Sequence, residues 1–302
     1  MHVNQLEKGA VASRRNNSFI DNLKAFNSEG ESTHVDVTVC VITYNHVAFI
    51  RDALDGILKQ RTTCSWNVLV FDDRSTDGTT EIVQAYERRF PDRIRLVVQE
   101  KNVGALENWK QLLLSADGRY IAYIEGDDYW ISQDKIEKQL NILNNKPDVG
   151  IVYSQAKQER RNGSKPVVIG RRATRNDLIR ENPIPSSTVM FRNINLSDFF
   201  SELDEQLKCW KMSDWPLWLW ITQRGEIDFL PETTAVYNIN HNSTTHITQK
   251  VKWIQSKISI IKYFKGVPKN RSLSGVRLRL VALYAELLIA PILEWIRVVR
   301  LR

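Results

Sequence analysis

The sequence has few of the residues that cross-link or interrupt a fold. Its 302 residues include only three cysteines, Cys40, Cys64 and Cys209, and no CxxC pair. An odd number of widely spaced cysteines argues against a disulfide framework or a zinc knuckle and favours a reducing compartment. The 13 glycines and 9 prolines are too few for a collagen-like or low-complexity chain. We therefore expect an ordinary globular protein with a substantial core.

Long apolar segments are also missing. No stretch of 18 residues is free of charged side chains, and the first 30 residues contain no apolar run of signal-peptide length. A spanning helix and a secretory signal both need such a run. We therefore expect a cytoplasmic protein without a membrane-spanning helix.

Charge is distributed unevenly along the chain. The whole chain carries a formal net charge of +7, but residues 250–302 alone hold six lysines and six arginines against Glu286 and Glu294, a local net charge of +10. Residues 1–249 are therefore slightly acidic. The basic charge does not belong to the body of the protein, so we expect no nucleic-acid partner, and any anionic partner would bind the C-terminal segment.

Strand and helix patterns alternate through the first half of the chain. Apolar or β-branched runs at 37–43, 67–71, 94–98 and 120–124 predict strands, and the first three are each followed by a segment with helical spacing of apolar residues. Alternating units of this kind predict an α/β fold with a mostly parallel central sheet flanked by helices.

Polar and mostly acidic residues follow three of the predicted strands, at 43–45, 72–73 and 125–128. In a parallel sheet these strand ends meet at one edge, which is where such sheets bind ligands. Each group alone could simply cap a helix or form a turn. Three such groups at one edge would repel one another unless a cation or a donor-rich ligand neutralised them. The sequence therefore predicts a ligand site there, although no GxGxxG or GxxxxGK[ST] phosphate loop is present.

Three segments resemble the glycosyltransferase family 2 domain of the GT-A fold: VTVCVITYNH, VLVFDDRSTDGTTEIV and KNVGALENWKQLLLSADGRYIAYIEGDDYW. The resemblance is close over about residues 36–150 and looser to about residue 245. It implies a Rossmann-like GT-A sheet. It also implies an inverting enzyme that moves a sugar from a nucleotide-diphosphate sugar donor to a hydroxyl group of a glycan or lipid-linked acceptor.

The resemblance also implies how the donor is held. The family's D-x-D element reads Glu125-Gly126-Asp127-Asp128 here, with glutamate as its first acid. Oxygen ligands of this type hold Mg²⁺ or Mn²⁺ on the donor diphosphate, where the cation stabilises the leaving group. The residues implied as nucleotide-binding are Thr43, Tyr44, Asn45, Asp72, Asp73 and Asp127, and those implied as metal ligands are Asp127, Asp128 and His241.

A general base is implied at Asp214, in the segment Ser213-Asp214-Trp215-Pro216. A base at this point would deprotonate the acceptor hydroxyl during in-line displacement. The alternative is that Asp214 only caps the helix that follows. Burial beside tryptophans should raise its pKa, and we expect Asp72, Asp128 and Asp214 to share one cavity. The implied contacts to acceptor or sugar are Trp130, Ser187, Trp215 and Glu125.

We divide the chain into a variable N-terminal arm (1–34), a nucleotide-sugar-binding half (35–195), an acceptor-side half (196–250) and a basic amphipathic helical tail (251–302). Apolar residues with arginines at both ends, interrupted by Glu286, Pro291 and Glu294, indicate that residues 271–302 lie on an anionic membrane surface. The protein would then be peripheral at the inner face of the membrane. Alternatively, the tail packs on the catalytic domain.

Three other function classes were weighed. A sugar nucleotidyltransferase shares the α/β architecture but needs a glycine-rich basic loop after the first strand, which Thr43-Tyr44-Asn45-His46 does not provide. A non-catalytic membrane-surface adaptor would use the basic tail but would leave the acidic edge unexplained. A glycoside hydrolase uses paired carboxylates but needs no metal at a diphosphate.

Overall fold

The structure is a computed structural model that describes residues 35–160, 164–239, 247–266 and 275–287. The predicted arm at 1–34 and the predicted metal ligand His241 lie outside the described residues.

The first half of the described chain alternates strands with helices, as the periodicity predicts. Its elements are β1 (Val37–Thr43), α1 (Ile50–Leu58), β2 (Trp66–Asp72), α2 (Thr79–Arg89), β3 (Ile94–Val98), α3 (Ala105–Leu114), β4 (Tyr120–Glu125), β5 (Tyr129–Trp130) and α4 (Lys135–Asn145).

The second half is less regular. Its elements are β6 (Val149–Arg160), β7 (Val167–Ile169), α5 (Arg175–Arg180), a 3-10 turn (Ser186–Thr188), β8 (Met190–Arg192), α6 (Leu196–Cys209), α7 (Asp214–Ile221), β9 (Glu226–Ile239) and α8 (Ile247–Gly266). A further helix, α9, covers residues 276–287.

The nine strands of the described residues form one sheet, in the order β3-β2-β1-β4-β8-β6-β9-β5, with β7 paired to β6. The pairs β2–β3, β1–β2, β1–β4 and β6–β9 are parallel. By contrast, β8 runs antiparallel to both of its neighbours, β4 and β6. The α/β fold is therefore confirmed, with the predicted parallel arrangement in the half that carries the acidic strand ends and a mixed arrangement in the other half.

The sheet is covered on both faces. Val37, Val39 and Val41 of β1 belong to an apolar cluster with α1 and α4, whereas Cys40 belongs to a second cluster with α3, α6, α7 and α8. This alternation follows from the two-residue period of a strand. Because both faces are buried, open space for a ligand is left mainly at the sheet edges.

The C-terminal helices pack on this body. Ile254, Ile261 and Phe264 of α8 and Val276 and Leu283 of α9 are buried in the second cluster. The described part of the predicted tail therefore packs on the domain through one face. None of the helices in the described ranges is long and apolar enough to cross a bilayer.

Candidate active site

Strand register brings the three polar strand ends level with one another. Thr43 at the end of β1 is paired with Asp72 on β2, and its neighbour Ile42 is paired with Glu125 on β4. The residue after Glu125 is Gly126, where an added Cβ would lie 2.8 Å from Thr43 Oγ1 and 3.0 Å from His46 Nδ1. Glycine is therefore required for the Glu125–Asp128 turn to approach β1 this closely.

The turn carries three carboxylates, and the pKa values of Glu125 and Asp128 are raised. Burial raises the pKa of Glu125 to about 8, and the negative charges of Asp127 and Asp214 add to the shift. Burial also raises the pKa of Asp128 well above its usual range, with further contributions from Glu125 and Asp127. Like charges held together in a poorly solvated place favour protonation or a bound cation.

Only one carboxylate oxygen of Asp128, Oδ1, has a hydrogen-bond partner among the described residues. Asp128 is 1% exposed, and its Oδ1 accepts the backbone N–H of Asn238 at 2.9 Å. The Asn238 side chain donates to the backbone oxygen of Asp127 at 2.6 Å, so the end of β9 binds the acidic turn twice. Asp128 Oδ2 and Ser187 Oγ are both buried with no partner at hydrogen-bonding geometry. Ser187 is nevertheless close enough to lower the pKa of Asp128.

Asp127 lies toward the β1 loop. Its Oδ2 is 4.0 Å from His46 Nε2, and both side chains are partly exposed. His46 was not among the predicted site residues, although it directly follows Thr43-Tyr44-Asn45. A histidine three residues after the end of a strand gives no signal by itself, and the approach of the Glu125–Asp128 turn gives His46 an acidic neighbour.

Asp214 is the first residue of α7 and lies within reach of the same acidic group, since its charge raises the pKa of Glu125. Its Oδ2 accepts a hydrogen bond from Asn182 Nδ2 at 3.0 Å. Burial raises the pKa of Asp214, and the Trp215 backbone N–H, Asn182 and the nearby Trp218 indole partly offset the rise. The predicted upward shift is therefore confirmed, and Asp214 combines a helix-start position with an acidic neighbourhood.

The β2 loop uses its two aspartates internally. Asp72 is fully buried, and its carboxylate accepts hydrogen bonds from the Ser75 backbone and hydroxyl and from Thr80. Asp73 accepts the backbone N–H groups of Val103 and Gly104 at 2.7 and 2.9 Å. Asp72 is thus bonded within its own loop, and a cavity that it shares with Asp128 and Asp214 stays a prediction.

The remaining residues predicted to contact the nucleotide lie on the β1 loop. Thr43 is buried, with its hydroxyl 3.3 Å from His46 Nδ1, and Tyr44 is 44% exposed. Asn45 has a left-handed backbone, φ 55°, and its side chain accepts the Thr76 N–H at 2.9 Å. The β1 and β2 loops therefore bind each other. Contact of these loops with a nucleoside stays a prediction.

Two predicted sugar contacts are core residues. Trp130 is 3% exposed and donates its indole N–H to the Ser187 carbonyl at 2.8 Å. Trp215 is 1% exposed and donates to the Leu178 carbonyl at 2.7 Å. Their indole N–H groups are satisfied by backbone and their faces are covered. The expectation that these rings stack on a sugar is therefore wrong.

Within the described residues, no group of three His, Cys, Asp or Glu side chains converges in a geometry that would hold a metal ion. This does not conflict with a donor-dependent cation, because Mg²⁺ commonly takes one or two protein carboxylates and completes its shell with phosphate oxygens and water. The unpartnered Oδ2 of Asp128 and the raised pKa values of Glu125 and Asp128 fit such a cation. Asp127 and Asp128 are the residues that would hold it.

Two cavities lie away from the acidic turn. One of about 390 Å³ lies between α1 and β5 and is lined by residues that include Asp52, Gly56 and Gln133. The other, of about 380 Å³, is lined by Arg175 and Arg224 among others, at the edge opposite the acidic strand ends. Neither is lined by Asp128 or Asp214, so the acidic turn, rather than a closed cavity, marks the site.

An α/β sheet with acidic loops at the carboxyl ends of its parallel strands defines a class of protein that binds ligands at that edge. The particular family follows from comparison with known proteins. The chain belongs to glycosyl transferase family 2, whose family model matches residues 38–202. The family predicted from the sequence is therefore confirmed.

Two relatives show how far the similarity extends. The uncharacterized protein Rv1520 of Mycobacterium tuberculosis is 32% identical over 215 residues, which are 70% of this chain and 60% of that protein. The chain thus spans less than two thirds of that relative. The UDP-Glc:alpha-D-GlcNAc-diphosphoundecaprenol beta-1,3-glucosyltransferase WfgD of Escherichia coli is 34% identical over 107 residues, 35% of this chain and 40% of that protein.

Two solved structures share the fold. The S. aureus protein TarS, residues 1–349 in complex with UDP, gives a TM-score of 0.60 at 17% identity, covering 83% of this chain and 71% of that one. The mannosyltransferase PcManGT from Pyrobaculum calidifontis, in complex with GDP-Man and Mn²⁺, gives a TM-score of 0.54 at 18% identity, covering 95% and 85%. At these identities the likeness establishes the fold alone.

Proposed function

We propose that the protein transfers a sugar from a nucleotide-diphosphate sugar to a hydroxyl group of a glycan or lipid-linked acceptor, with inversion at the anomeric carbon. The observation that carries this proposal is the electrostatic link between Asp214 and the Glu125–Asp128 turn: the charges of Asp127 and Asp214 both raise the pKa of Glu125. One region thus holds carboxylates suited to a cation-bound diphosphate and a separate carboxylate suited to proton transfer.

The chemistry needs one base and one stabilised leaving group. A carboxylate of Asp214 accepts the proton of the acceptor hydroxyl as the oxygen attacks the anomeric carbon. The bond between that carbon and the diphosphate oxygen breaks, and the nucleoside diphosphate leaves from the opposite face. The raised pKa of Asp214 suits a group that must take up a proton. Asn182 orients the carboxylate through its hydrogen bond to Oδ2.

Asp127 and Asp128 would hold a Mg²⁺ or Mn²⁺ ion against the donor diphosphate. Such an ion, when bound, would neutralise the negative charge that develops on the leaving group. Asn238 keeps the acidic turn in place through its bonds to Asp127 and Asp128. The Tyr44–Asn45 loop would contact the nucleoside, and Asp72 and Asp73 would keep the β2 loop rigid beneath it.

The relatives support the substrate classes. WfgD is named for a UDP-glucose donor and a diphosphoundecaprenol-linked acceptor, and PcManGT is described with GDP-Man and Mn²⁺. Each supports a nucleotide-sugar donor for this chain, and WfgD supports a lipid-linked acceptor. We propose that the product belongs to a surface polysaccharide, such as lipopolysaccharide or capsule. A lipid-linked acceptor lies in a membrane, so it would also explain a basic C-terminal segment that binds the membrane surface.

Membrane attachment is the second part of the proposal. The outer face of α9 exposes Leu278 (77%), Val281 (66%) and Tyr284 (41%), three positions apart, while Val276 and Leu283 face the core. Arg277 is exposed on the same helix, and Lys262 of α8 lies 5.2 Å from the Tyr284 ring. An apolar stripe with cationic neighbours suits the headgroup region of an anionic leaflet. The protein would act as a peripheral protein at the cytoplasmic face of the membrane.

The experiment that tests the transfer proposal is a panel of nucleotide sugars assayed with Mg²⁺, Mn²⁺ or EDTA, following release of nucleoside diphosphate. Metal-dependent release with one donor is the expected result. Asp128→Asn should abolish it, while Asp92→Asn, an exposed aspartate before β3, should leave it unchanged. Release of pyrophosphate would instead indicate a nucleotidyltransferase, and no release or binding with any donor would favour the adaptor.

A further inference from the structure

A fully buried lysine lies behind the acidic turn and has no role in the proposed chemistry. Lys135, the first residue of α4, is 0% exposed. Among the described residues no carboxylate forms an ion pair with it. Its Nζ donates to Gln139 Oε1 at 2.7 Å and lies 4.2 Å from the centre of the Trp130 ring. Burial lowers the pKa of Lys135 to about 7. Burying an ionisable amine without a counter-charge costs free energy.

Both partners of Lys135 donate to the same short turn. The Trp130 indole N–H binds the Ser187 carbonyl at 2.8 Å, and Gln139 Nε2 binds the Thr188 carbonyl at 2.7 Å. These are adjacent carbonyls of the 3-10 turn at Ser186–Thr188. The two donors belong to different elements, β5 and α4, and Lys135 is the group that contacts both.

The ammonium fixes the direction of each donor. An amide has an acceptor end and a donor end, so a cation bound to Gln139 Oε1 leaves Nε2 to face the Thr188 carbonyl. A cation over the Trp130 ring is attracted to its face and holds the ring in one orientation. Trp130 is also confined from behind, since a Cβ on Gly56 of α1 would lie 2.6 Å from its backbone oxygen.

The held turn carries a group of the proposed donor site. Ser187 Oγ is buried without a hydrogen-bond partner, and the Ser187 carbonyl is bound to the indole of Trp130, which follows Asp128 by two residues. Any displacement of the turn therefore moves a hydroxyl relative to Asp128, whose Oδ2 is likewise unpartnered. Groups behind a ligating carboxylate commonly change metal affinity about 10- to 100-fold when removed.

We propose that Lys135 is a positioning residue: through Trp130 and Gln139 it holds the turn at Ser186–Thr188, and thereby the Ser187 hydroxyl, against Asp128. This inference rests on the proposed function, because it assigns Asp128 to the cation of the donor complex. Lys135 itself touches neither donor nor cation.

The test uses the full chain and compares Lys135→Met with Lys138→Met. Methionine keeps the length of the buried stem and removes the ammonium. Lys138 is on the same helix, but its ammonium pairs with Glu232 at 2.6 Å on the partly exposed surface. Binding of Mn²⁺ in the presence of UDP or GDP is measured by the loss of the free Mn²⁺ electron paramagnetic resonance signal. We expect about tenfold weaker binding in Lys135→Met and wild-type binding in Lys138→Met.

A second readout does not depend on any ligand. In protein labelled with ¹⁵N-tryptophan, the Trp130 indole N–H is assigned by its loss in Trp130→Phe, and its hydrogen exchange is followed. We expect exchange at least about tenfold faster in Lys135→Met, because the bond to the Ser187 carbonyl is loosened. Thermal unfolding of each variant shows whether a general loss of stability causes the change.

The outcomes separate the inference from the proposed function. If the wild type binds no Mn²⁺ with either nucleotide, the proposed metal role is wrong. If the wild type binds and Lys135→Met binds equally well, the positioning role is overturned, whatever the exchange rate. Should Lys135→Met fail to fold, Trp130→Phe decides, since it keeps a ring for Lys135 and removes only the bond to Ser187; unchanged Mn²⁺ binding there overturns the inference.

Discussion

Asn182 donates a hydrogen bond from its side-chain amide to Oδ2 of Asp214 over 3.0 Å, joining two residues 32 positions apart. The bond links the loop that follows α5 to the first residue of α7. It stabilises the ionised form of a carboxylate whose pKa burial raises. Burial therefore favours the protonated form of the proposed base, whereas the Asn182 donor favours the ionised form that can accept a proton.

Asp214→Asn should lower kcat by about 10²- to 10⁴-fold, because asparagine keeps the shape of the side chain but cannot accept the acceptor's proton. Binding of UDP or GDP, measured by calorimetry, should stay unchanged. Asp198→Asn, which changes an exposed aspartate in the first turn of α6, serves as the matched control. Full activity of Asp214→Asn would remove Asp214 from the mechanism.

Asn182→Ala should shift the acid limb of the pH profile. Removing a donor to the carboxylate raises the pKa of Asp214 further, so the ionised base appears only at higher pH. A hydrogen bond to a charged group is worth about 1.5–3 kcal/mol, which corresponds to a shift of about one pH unit or more. The profile of kcat/KM between pH 5 and pH 9 checks this. An equal loss of kcat/KM at every pH would mean that Asn182 supports only the structure of the site and does not affect the pKa of Asp214.

The free energy of unfolding should fall as the pH rises through the range in which Glu125 titrates. The pKa of Glu125 is about 8 in the folded protein against an ordinary value of 4.5. Glu125 therefore loses its proton at a lower pH in the unfolded chain than in the folded protein. As a result, the free energy of unfolding falls progressively between pH 4.5 and about pH 8. In EDTA, Glu125→Gln should make the melting temperature less dependent on pH in this window, by about 2–4 °C for each 1 kcal/mol removed.

The exposed Glu100 provides the control for this comparison, because Glu100→Gln should leave the pH dependence as it is in the wild type. Adding Mn²⁺ and UDP should stabilise the wild type most at high pH, where the carboxylates are ionised. A melting temperature that rises steadily from pH 5 to pH 8 in EDTA would contradict the mutual repulsion inferred at this turn.

Asn238→Ala should weaken Mn²⁺ binding in the presence of nucleotide by about tenfold. The substitution removes the side-chain bond to the Asp127 carbonyl and keeps the backbone bond to Asp128 Oδ1. The turn should then move while Asp128 remains anchored. Asn141→Ala, on the exposed side of α4, is the control, and equal affinities for the two variants would show that Asn238 does not position the turn.

Replacing Leu278 and Val281 together by glutamate should release the protein from anionic liposomes. The change removes the apolar stripe and adds two negative charges, each worth about 1 kcal/mol at such a surface. Flotation with phosphatidylserine-containing vesicles measures the effect, and nucleotide binding should persist. The control replaces Asn141 and Asn144 of α4 by glutamate, which adds the same charge away from the apolar stripe. Deleting residues 271–302 should have the same effect as the double substitution, and unchanged vesicle binding would refute the membrane role.

The sequence predicted the half of the fold in which strands and helices alternate regularly along the chain. The β-branched runs and the helical spacing between them identified β1 to β4 and their helices, because each element is encoded by its own residues. The convergence of Thr43, Asp72 and Glu125 followed from the parallel arrangement. The local sequence pattern and the rule that parallel strands end at one edge of a sheet were sufficient to predict these elements and this convergence.

The second half could not be predicted in the same way. Nothing in residues 186–192 indicates that β8 enters the sheet between β4 and β6, antiparallel to both. The partners Asn182 and Asn238 were missed because each acts on a residue distant along the chain. The predictions for Trp130 and Trp215 failed since the same residue type fills a core or lines a cleft, and only packing decides between the two.

By itself the sequence determined the α/β class, the family and the acidic segments at the strand ends, since these depend on residue types in short, ordered runs. Only the tertiary structure decided which carboxylates act on one another. The carboxylate of Asp72 is bonded within its own loop, whereas the charge of Asp214 acts on Glu125. The physical reason is that electrostatic and hydrogen-bond energies depend on distance through space, which chain position does not specify.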